Sequence, residues 1–370
     1  MTQHHGMEEF EEAFEADVAA VAPAVTLEHE RPGPAPAADT PSAPPWGGIA
    51  KAMVFPIFFV VMFALCYISA FHHPTPHDVK LALVGPSAQT SMVADQLSQH
   101  SDGAFAVSTS TDLSATLDQL QYQKIAGAIE LGPTVTAHVA SGAGMTVTQT
   151  VEKVGQQLAS ATGTQLVVHD VAPLGGGDGT GMGLFYFMVV CTIGGYLTVT
   201  VVSQAAPKLR VRHQVTVLGV MSVLATLIAF GISSIFVGSY GATAAGLTAM
   251  VLIGMVYTFA VGLVAMLCNK VLGQAAIFLV MTFAIFLNFP SAGGAIPTGF
   301  MPPFWEWLHN FWIGSGVVQA MRSVVYFGGA GVGHGLLIVG LWLAAAAALT
   351  GLVVYLKRDR NGGRHEAVAA

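Results

Sequence analysis

Charge is scarce in this chain. Asp, Glu, Lys and Arg make up 9% of its 370 residues against 53% hydrophobic ones, a balance that soluble domains do not approach and that reads as a polytopic membrane protein. The basic residues form no stripe on which nucleic acid would bind. Cysteine is scarcer still. Cys66, Cys191 and Cys268 sit inside apolar runs at unrelated spacings, which argues against a disulfide or metal site and for small buried hydrophobes. No G-x-x-x-x-G-K-[ST] segment occurs, so the chain by itself does not cradle and hydrolyse a nucleotide in the P-loop way, and any ATP-driven work needs a partner. The glycine-rich Gly175–Gly183 (GGGDGTGMG) fails the G-x-G-x-x-G pattern and reads as a hinge or flexible joint. No Ser–His–Asp order, paired-carboxylate motif or H-E-x-x-H is present, so the expectation is a protein that is not an enzyme, with no catalytic residue and no cofactor of its own.

The carboxylates that do occur are unevenly placed. Residues 1–50 hold nine of them against Arg31 alone, while the rest of the chain carries a net charge of +1. Residues 1–49 turn from acidic to Pro- and Ala-rich (RPGPAPAADTPSAPPWGG), with too few large apolar groups for a core, and are expected to be a disordered tail. Trp46–Met53 then reads as a short interfacial helix or a plain linker. Six apolar runs follow: about Met53–Phe71, Gly183–Gln204, Val215–Val237, Ala242–Leu267, Val271–Phe289 and His334–Leu356, each long enough for a hydrocarbon layer of about 30 Å. Lys51, Lys208, Arg210, Arg212, Lys270, Lys357, Arg358, Arg360 and Arg364 fall on one side of these spans, and Lys80, Lys124, Lys153 and Arg322 on the other. The positive-inside rule makes the first side the cytoplasm. The expectation is a plasma-membrane protein with both termini inside: helix 1 at 50–72, an extracytoplasmic domain at 73–182, five helices at 183–357 and a tail at 358–370.

Within that domain, the β-prone runs Val79–Val84, Ala104–Ser108, Ile125–Leu131, Val135–Val139 and Leu166–Val171 alternate with the helical patterns Ser91–His100, Leu113–Gln121 and Val147–Ala161. The pattern is βαβαββαβ, a mixed α/β sheet inserted between helices 1 and 2 of an otherwise all-α bundle. Asp112 is placed to cap the helix that follows it.

Between the last two spans, residues 290–327 are longer and more apolar than a connection needs. Pro290, Pro297, Pro302 and Pro303 deny this stretch a continuous helix, and Phe304, Trp305, Leu308, Phe311 and Trp312 recur at roughly helical spacing. A broken backbone in hydrocarbon survives only where protein or a water-filled cavity covers it, so the loop reads as re-entrant and either lines a path or serves as an interfacial anchor. In the second span Thr192, Tyr196, Thr200 and Gln204 recur every four residues on one helix face, either along a translocation route or in ordinary helix packing. Gly194–Gly195 permits a kink or a close approach. Arg322 is expected to pair with Glu306 or a lipid phosphate. His72, His73 and His77 are candidate metal ligands or, more simply, interfacial residues fixing a turn. Ionisable groups inside the spans are nearly absent, which argues against a proton or sodium relay.

One span, an external α/β domain, then five spans with a Pro/Gly-broken outer loop resembles the type-2 ABC exporter permeases and the related phage-infection-protein-like membrane proteins. The similarity is carried by SAFHHPTPHDVKLALVGP (Ser69–Pro86), VAPLGGGDGTGMGLFYFMVV (Val171–Val190) with the following GGY (Gly194–Tyr196), and the PSAGG…MPPFWEWL…GVVQAMRSVVYF loop, and it points to actinobacterial members. It covers roughly residues 46–360. The resemblance implies a homodimeric or heterodimeric permease embedded in lipid, energised by ATP and Mg on separate ATPase subunits that dock on Pro207, Lys208, Leu209, Arg210, Arg212 and His213. It also implies a pathway past Thr192, Tyr196, Thr200 and Gln204 to an outer gate at Pro302, Pro303, Phe304, Trp305 and Arg322, with amphiphilic or lipid-like molecules moved outward. At Gly175–Gly181 the chain departs from the family pattern, where a Pro and an Asp-Pro-Arg-like turn are more usual. The alternative function is a membrane-anchored receptor or scaffold whose external domain binds envelope partners.

Overall fold

The apolar runs fold into helices in a computed structural model that describes residues 46–369. The acidic tail expected to be disordered lies, up to residue 45, outside the described residues. The chain divides into two units, Met1–Lys51 and Ala52–Ala370, and everything below concerns the second.

Among the described residues, five helices are long and apolar enough to cross a membrane: α1 (Ala50–Phe71), α5 (Gly183–Ala205), α6 (Val211–Phe236), α7 (Ala244–Leu272) and α11 (Val332–Lys357). This is a multi-pass membrane protein. A shorter apolar helix, α8 (Ala276–Ser291), follows α7. The bundle's outward faces are apolar where water would reject them: Ile57, Val60 and Ile68 on α1 and Val220, Ile235 and Phe236 on α6 are all exposed, as a lipid-facing surface requires. α7 is the central helix, with most of its length buried. Its approach to α5 depends on glycine, since a Cβ on Gly195 would lie 2.5 Å from the Thr258 carbonyl oxygen. Both α1 and α8 widen into a π-helical turn, Ala64–Ile68 and Thr282–Leu287. The two widened turns touch, and Phe58 and Phe59 of α1 meet Phe286 edge to face.

Between α1 and α5 the chain builds a five-stranded mixed sheet: β1 (Val79–Val84), β2 (Phe105–Ser110), β3 (Gly127–Leu131), β4 (Val135–Val139) and β5 (Leu166–Asp170), in the order β2-β1-β3-β4-β5. All pairings are parallel except β3 with β4, which the three residues Gly132–Thr134 join. Three helices, α2 (Ser87–His100), α3 (Leu113–Gln121) and α4 (Met145–Thr162), make the crossovers. Asp112 caps α3, its carboxylate accepting from the Ala115 N–H at 3.1 Å. Alternation along β1 sends Val79, Leu81 and Leu83 to one face, under Val147, Val151 and Val154 of α4. Ala82 and Val84 face the other side with Leu120 of α3.

Residues 292–331 join α8 to α11 through two helices, α9 (Pro303–His309) and α10 (Ile313–Tyr326). This connection is built into both halves of the protein. Phe300 sits in the core on one face of the sheet and Phe327 in the core on the other. The Gln121 amide donates to the Phe327 carbonyl at 2.9 Å, and the His77 N–H to the Gly299 carbonyl at 2.8 Å. α10 in turn packs on α11 so closely that a Cβ on Gly335 would lie 2.5 Å from the Gly316 oxygen. The sheet domain is therefore fastened to the bundle through this connection as well as through α1 and α5.

Gly175–Gly183 is not a flexible joint. Asp178 is buried, its carboxylate accepting from the Gly183 N–H at 3.1 Å and the Tyr326 hydroxyl at 3.2 Å. A Cβ on Gly175 would meet the Tyr240 carbonyl carbon at 2.4 Å, and one on Gly177 the Val237 oxygen at 2.4 Å. Glycine serves here to bring backbones together, not to let the chain swing.

Candidate functional site

Two cavities lie toward opposite ends of the bundle, with one buried polar cluster between them. The order is read along α8 and its continuation: Met281 lines the first cavity, Asn288 belongs to the cluster, and Ala292 lines the second. At a rise of about 1.5 Å per residue those steps are roughly 10 Å and 6 Å.

The cavity remote from the sheet domain has a volume of about 700 Å³ and lies between α5, α7 and the start of α8. Thr200, Ser203, Gln204, Asn269 and Lys270 give its wall a polar character, and Pro207 and Gln214 bound it at the α5–α6 turn. The sequence favours polarity here because Thr200 and Gln204 are one turn apart and the end of α7 carries Asn269-Lys270. Asn269 donates to Ser203 Oγ at 3.4 Å.

The central cluster is a chain of hydrogen bonds in a fully buried setting. The Asn288 amide donates to the Tyr257 hydroxyl at 2.8 Å, that hydroxyl lies 2.6 Å from Thr192 Oγ1, and Thr192 donates to the Met188 carbonyl at 2.8 Å. Thr192, Tyr257 and Asn288 are each 0% exposed. Among the described residues Asn288 Oδ1 has no hydrogen-bond partner. Gly314 of α10 lies against it: a Cβ there would come within 2.4 Å of that oxygen. A buried amide oxygen left unpaired costs free energy, and native structures keep few such groups. From here polar contacts continue to the second cavity. Ser291, three residues on, accepts at its carbonyl from His309 Nδ1 at 2.8 Å, and His309 lines the cavity. Burial lowers the pKa of His309, against the opposing pull of the Ser291 hydrogen bond.

The second cavity, about 370 Å³, lies between the sheet domain and the α8–α11 connection. Lys80 and Lys124 contribute from the domain, and Glu306, Gln319 and Arg322 from the connection. Arg322 does not pair with Glu306. Its guanidinium donates to the Gly293 carbonyl at 2.8 Å and the Gly294 carbonyl at 3.5 Å, while Glu306 accepts from His77 Nε2 at 2.9 Å. Burial works to lower the His77 pKa, but the hydrogen bond and charge of Glu306, with help from Thr75 and Asp78, leave it raised.

The polar stripe on α5 therefore divides. Thr192 and Tyr196 are buried, and Thr192 joins the central cluster, whereas Thr200 and Gln204 line the remote cavity. Pro302 and Pro303 stand beside His72, His73 and His77 in a shallow depression. Trp305 is buried and donates its indole N–H to Ser69 Oγ at 3.2 Å, whereas Phe304 is exposed. The described residues hold no group of three or more His, Cys, Asp or Glu placed to bind a metal. The Pro207–His213 stretch forms a turn running into α6, with no separate docking helix. Lys208, Arg210, Arg212 and His213 are exposed, and Leu209 is half-buried with its carbonyl bonded by Gln214. Tyr257 and Asn288 are absent from the sequence reading, although Asn288 is the one amide in the apolar run 276–291 and such a group needs a partner.

No protein-family model, curated protein or solved structure matches this chain.

Proposed function

We propose that this chain is the permease subunit of an ATP-driven exporter of amphiphilic or lipid-like small molecules, energised by a separate ATPase subunit. The observation that supports it most is the arrangement along α8: a cavity toward each end of the bundle and a buried polar cluster between them. That is the form expected of an occluded alternating-access route, where irregular backbone and polar groups are tolerated only along a cavity. Counting α8 as a sixth crossing puts both termini on the side that carries Lys51, Lys208, Arg210, Arg212, Lys270 and Lys357, the cytoplasmic side under the positive-inside rule. The remote cavity then opens inward beside the exposed basic turn, and the second cavity outward under the sheet domain. A dimer in the plasma membrane completes the reading.

The receptor or scaffold alternative asks for a domain displayed on loose joints. Phe300, Phe327 and the packed glycine segment speak against that arrangement. The test is purification of the tagged full chain from its own host in mild detergent, with mass spectrometry of whatever stays bound. A Walker-motif ATPase is expected with the wild type and is expected to be lost when Lys208, Arg210 and Arg212 are replaced by Glu. Recovery of envelope proteins alone, with no ATPase at any stoichiometry, would overturn the proposal.

A further inference from the structure

Arg322 is a cation with no carboxylate in contact among the described residues. A guanidinium carries five N–H donors and keeps its charge at any physiological pH. Among the described residues its hydrogen-bond acceptors are the carbonyls of Gly293 and Gly294, and no carboxylate lies within 4 Å of it. Glu306 is the only carboxylate between residues 183 and 357, and it is taken by His77 at 2.9 Å. Asp178, whose charge reaches Arg322, is engaged by the Gly183 N–H and the Tyr326 hydroxyl. A charge partly withdrawn from water with no carboxylate in contact carries a desolvation cost. An anion arriving beside it recovers part of that cost.

The surroundings concentrate positive charge at the same place. Four cations fall on the domain side of the helices, Lys80, Lys124, Lys153 and Arg322, and three of them line the one cavity. Lys80 and Lys124 are exposed and Arg322 is half-buried, so the lysines stand at the mouth and the guanidinium within. The carboxylates on the wall are Asp78 and the already paired Glu306. The Gln319 side-chain oxygen accepts from His334 Nδ1 at 2.9 Å, which leaves its amide N–H groups as donors. A volume of about 370 Å³ is at the small end for ligand pockets, suited to a headgroup and a few carbons rather than a whole lipid.

We propose that this cavity binds the anionic headgroup of an amphiphile, a phosphate or a carboxylate, with Arg322 as the inner ligand and Lys80 and Lys124 drawing the anion in. The inference rests on the permease reading only in taking that amphiphile to be the cargo; the binding itself does not require it. A planar fork of donors suits both oxyanions.

The test uses the full chain in uncharged detergent and measures binding by isothermal calorimetry, with no ATPase present. The probes are dodecyl phosphate, laurate, inorganic phosphate and dodecyltrimethylammonium. Saturable binding of the two anionic amphiphiles is expected, with no binding of the cation. Inorganic phosphate distinguishes the sources: binding as tight as dodecyl phosphate would overturn the amphiphile assignment in favour of a free anion. R322Q should weaken dodecyl phosphate at least tenfold. Because Arg322 also ties down Gly293 and Gly294, the K80Q/K124Q double variant, altered only at exposed positions, should weaken it several-fold and flatten its salt dependence. Unchanged affinity in both variants, or equal affinity for the cationic probe, would overturn the site. Failure here with the ATPase still recovered removes the cargo assignment alone, whereas intact binding with no ATPase removes the transport reading alone.

Discussion

Replacing Tyr257 by Phe removes one oxygen atom from a fully buried part of the bundle. In the wild type the Tyr257 hydroxyl accepts from the Asn288 amide at 2.8 Å and lies 2.6 Å from Thr192 Oγ1. Thr192 keeps its bond to the Met188 carbonyl in the variant. Asn288 does not fare as well, because its Oδ1 already has no partner and its Nδ2 would retain only a 3.8 Å contact to the Met188 sulfur. The substitution thus leaves a wholly unpaired buried amide. An orphaned group costs about 1–3 kcal/mol in soluble cores, and hydrogen bonds between membrane helices run from about 0.6 to 1.7 kcal/mol, so a loss of about 1–2 kcal/mol is expected for Y257F. N288L removes the amide altogether and leaves Tyr257 bonded to Thr192; its expected cost is below about 1 kcal/mol, since replacing a poorly satisfied polar group with an apolar one of similar size is near neutral. The double variant should then be no less stable than N288L, giving a coupling of about 1 kcal/mol or more. Reversible unfolding of the full chain in mixed micelles measures all four corners of the cycle. Additive effects, or a Y257F variant as stable as the wild type, would refute the claim that these three side chains form one fastening between the cavities.

The His77–Glu306 pair gives a pH dependence. Because the His77 pKa is raised in the folded protein, the pair's contribution is full below the ordinary imidazole value of about 6.5 and is lost as pH climbs through the raised one. The melting-temperature gap between wild type and H77Q should therefore narrow from pH 5.5 to 8.5. With both side chains about a third exposed the gap is small at its largest, and a gap independent of pH would sink the assignment. Gly175 allows a steric test. G175A places a methyl 2.4 Å from the Tyr240 carbonyl carbon and should destabilise by about 1–3 kcal/mol as overpacking does, whereas G176A, with open space around it, should be nearly silent. Equal melting temperatures for the two would restore the flexible-joint reading of this segment.

What the sequence made legible follows from which energies are local. Transfer of an apolar run into hydrocarbon is a sum over neighbouring residues, so α1, α5, α6, α7 and α11 could be read from hydropathy alone. The strands and helices of the sheet domain could be read because side-chain alternation and the Asp112 cap are also local. The candidate site is made of the opposite kind of contact. His77 and Glu306 are 229 positions apart, Thr192 and Tyr257 65, and Gln121 and Phe327 206; nothing at either residue names the other. Glycine was read in the wrong sense at Gly175–Gly183 because freedom of φ and absence of a Cβ are the same chemical fact, and the neighbour that decides between them, the Val237–Gly241 backbone, arrives some sixty residues later. For Arg322 the sequence left two partners open, Glu306 and a lipid phosphate, and the structure removes the first, although a lone cation ordinarily looks for the lone carboxylate nearby in sequence. Glu306 goes to His77 instead, and Arg322, left with no carboxylate in contact, is the residue on which the anion-binding proposal stands.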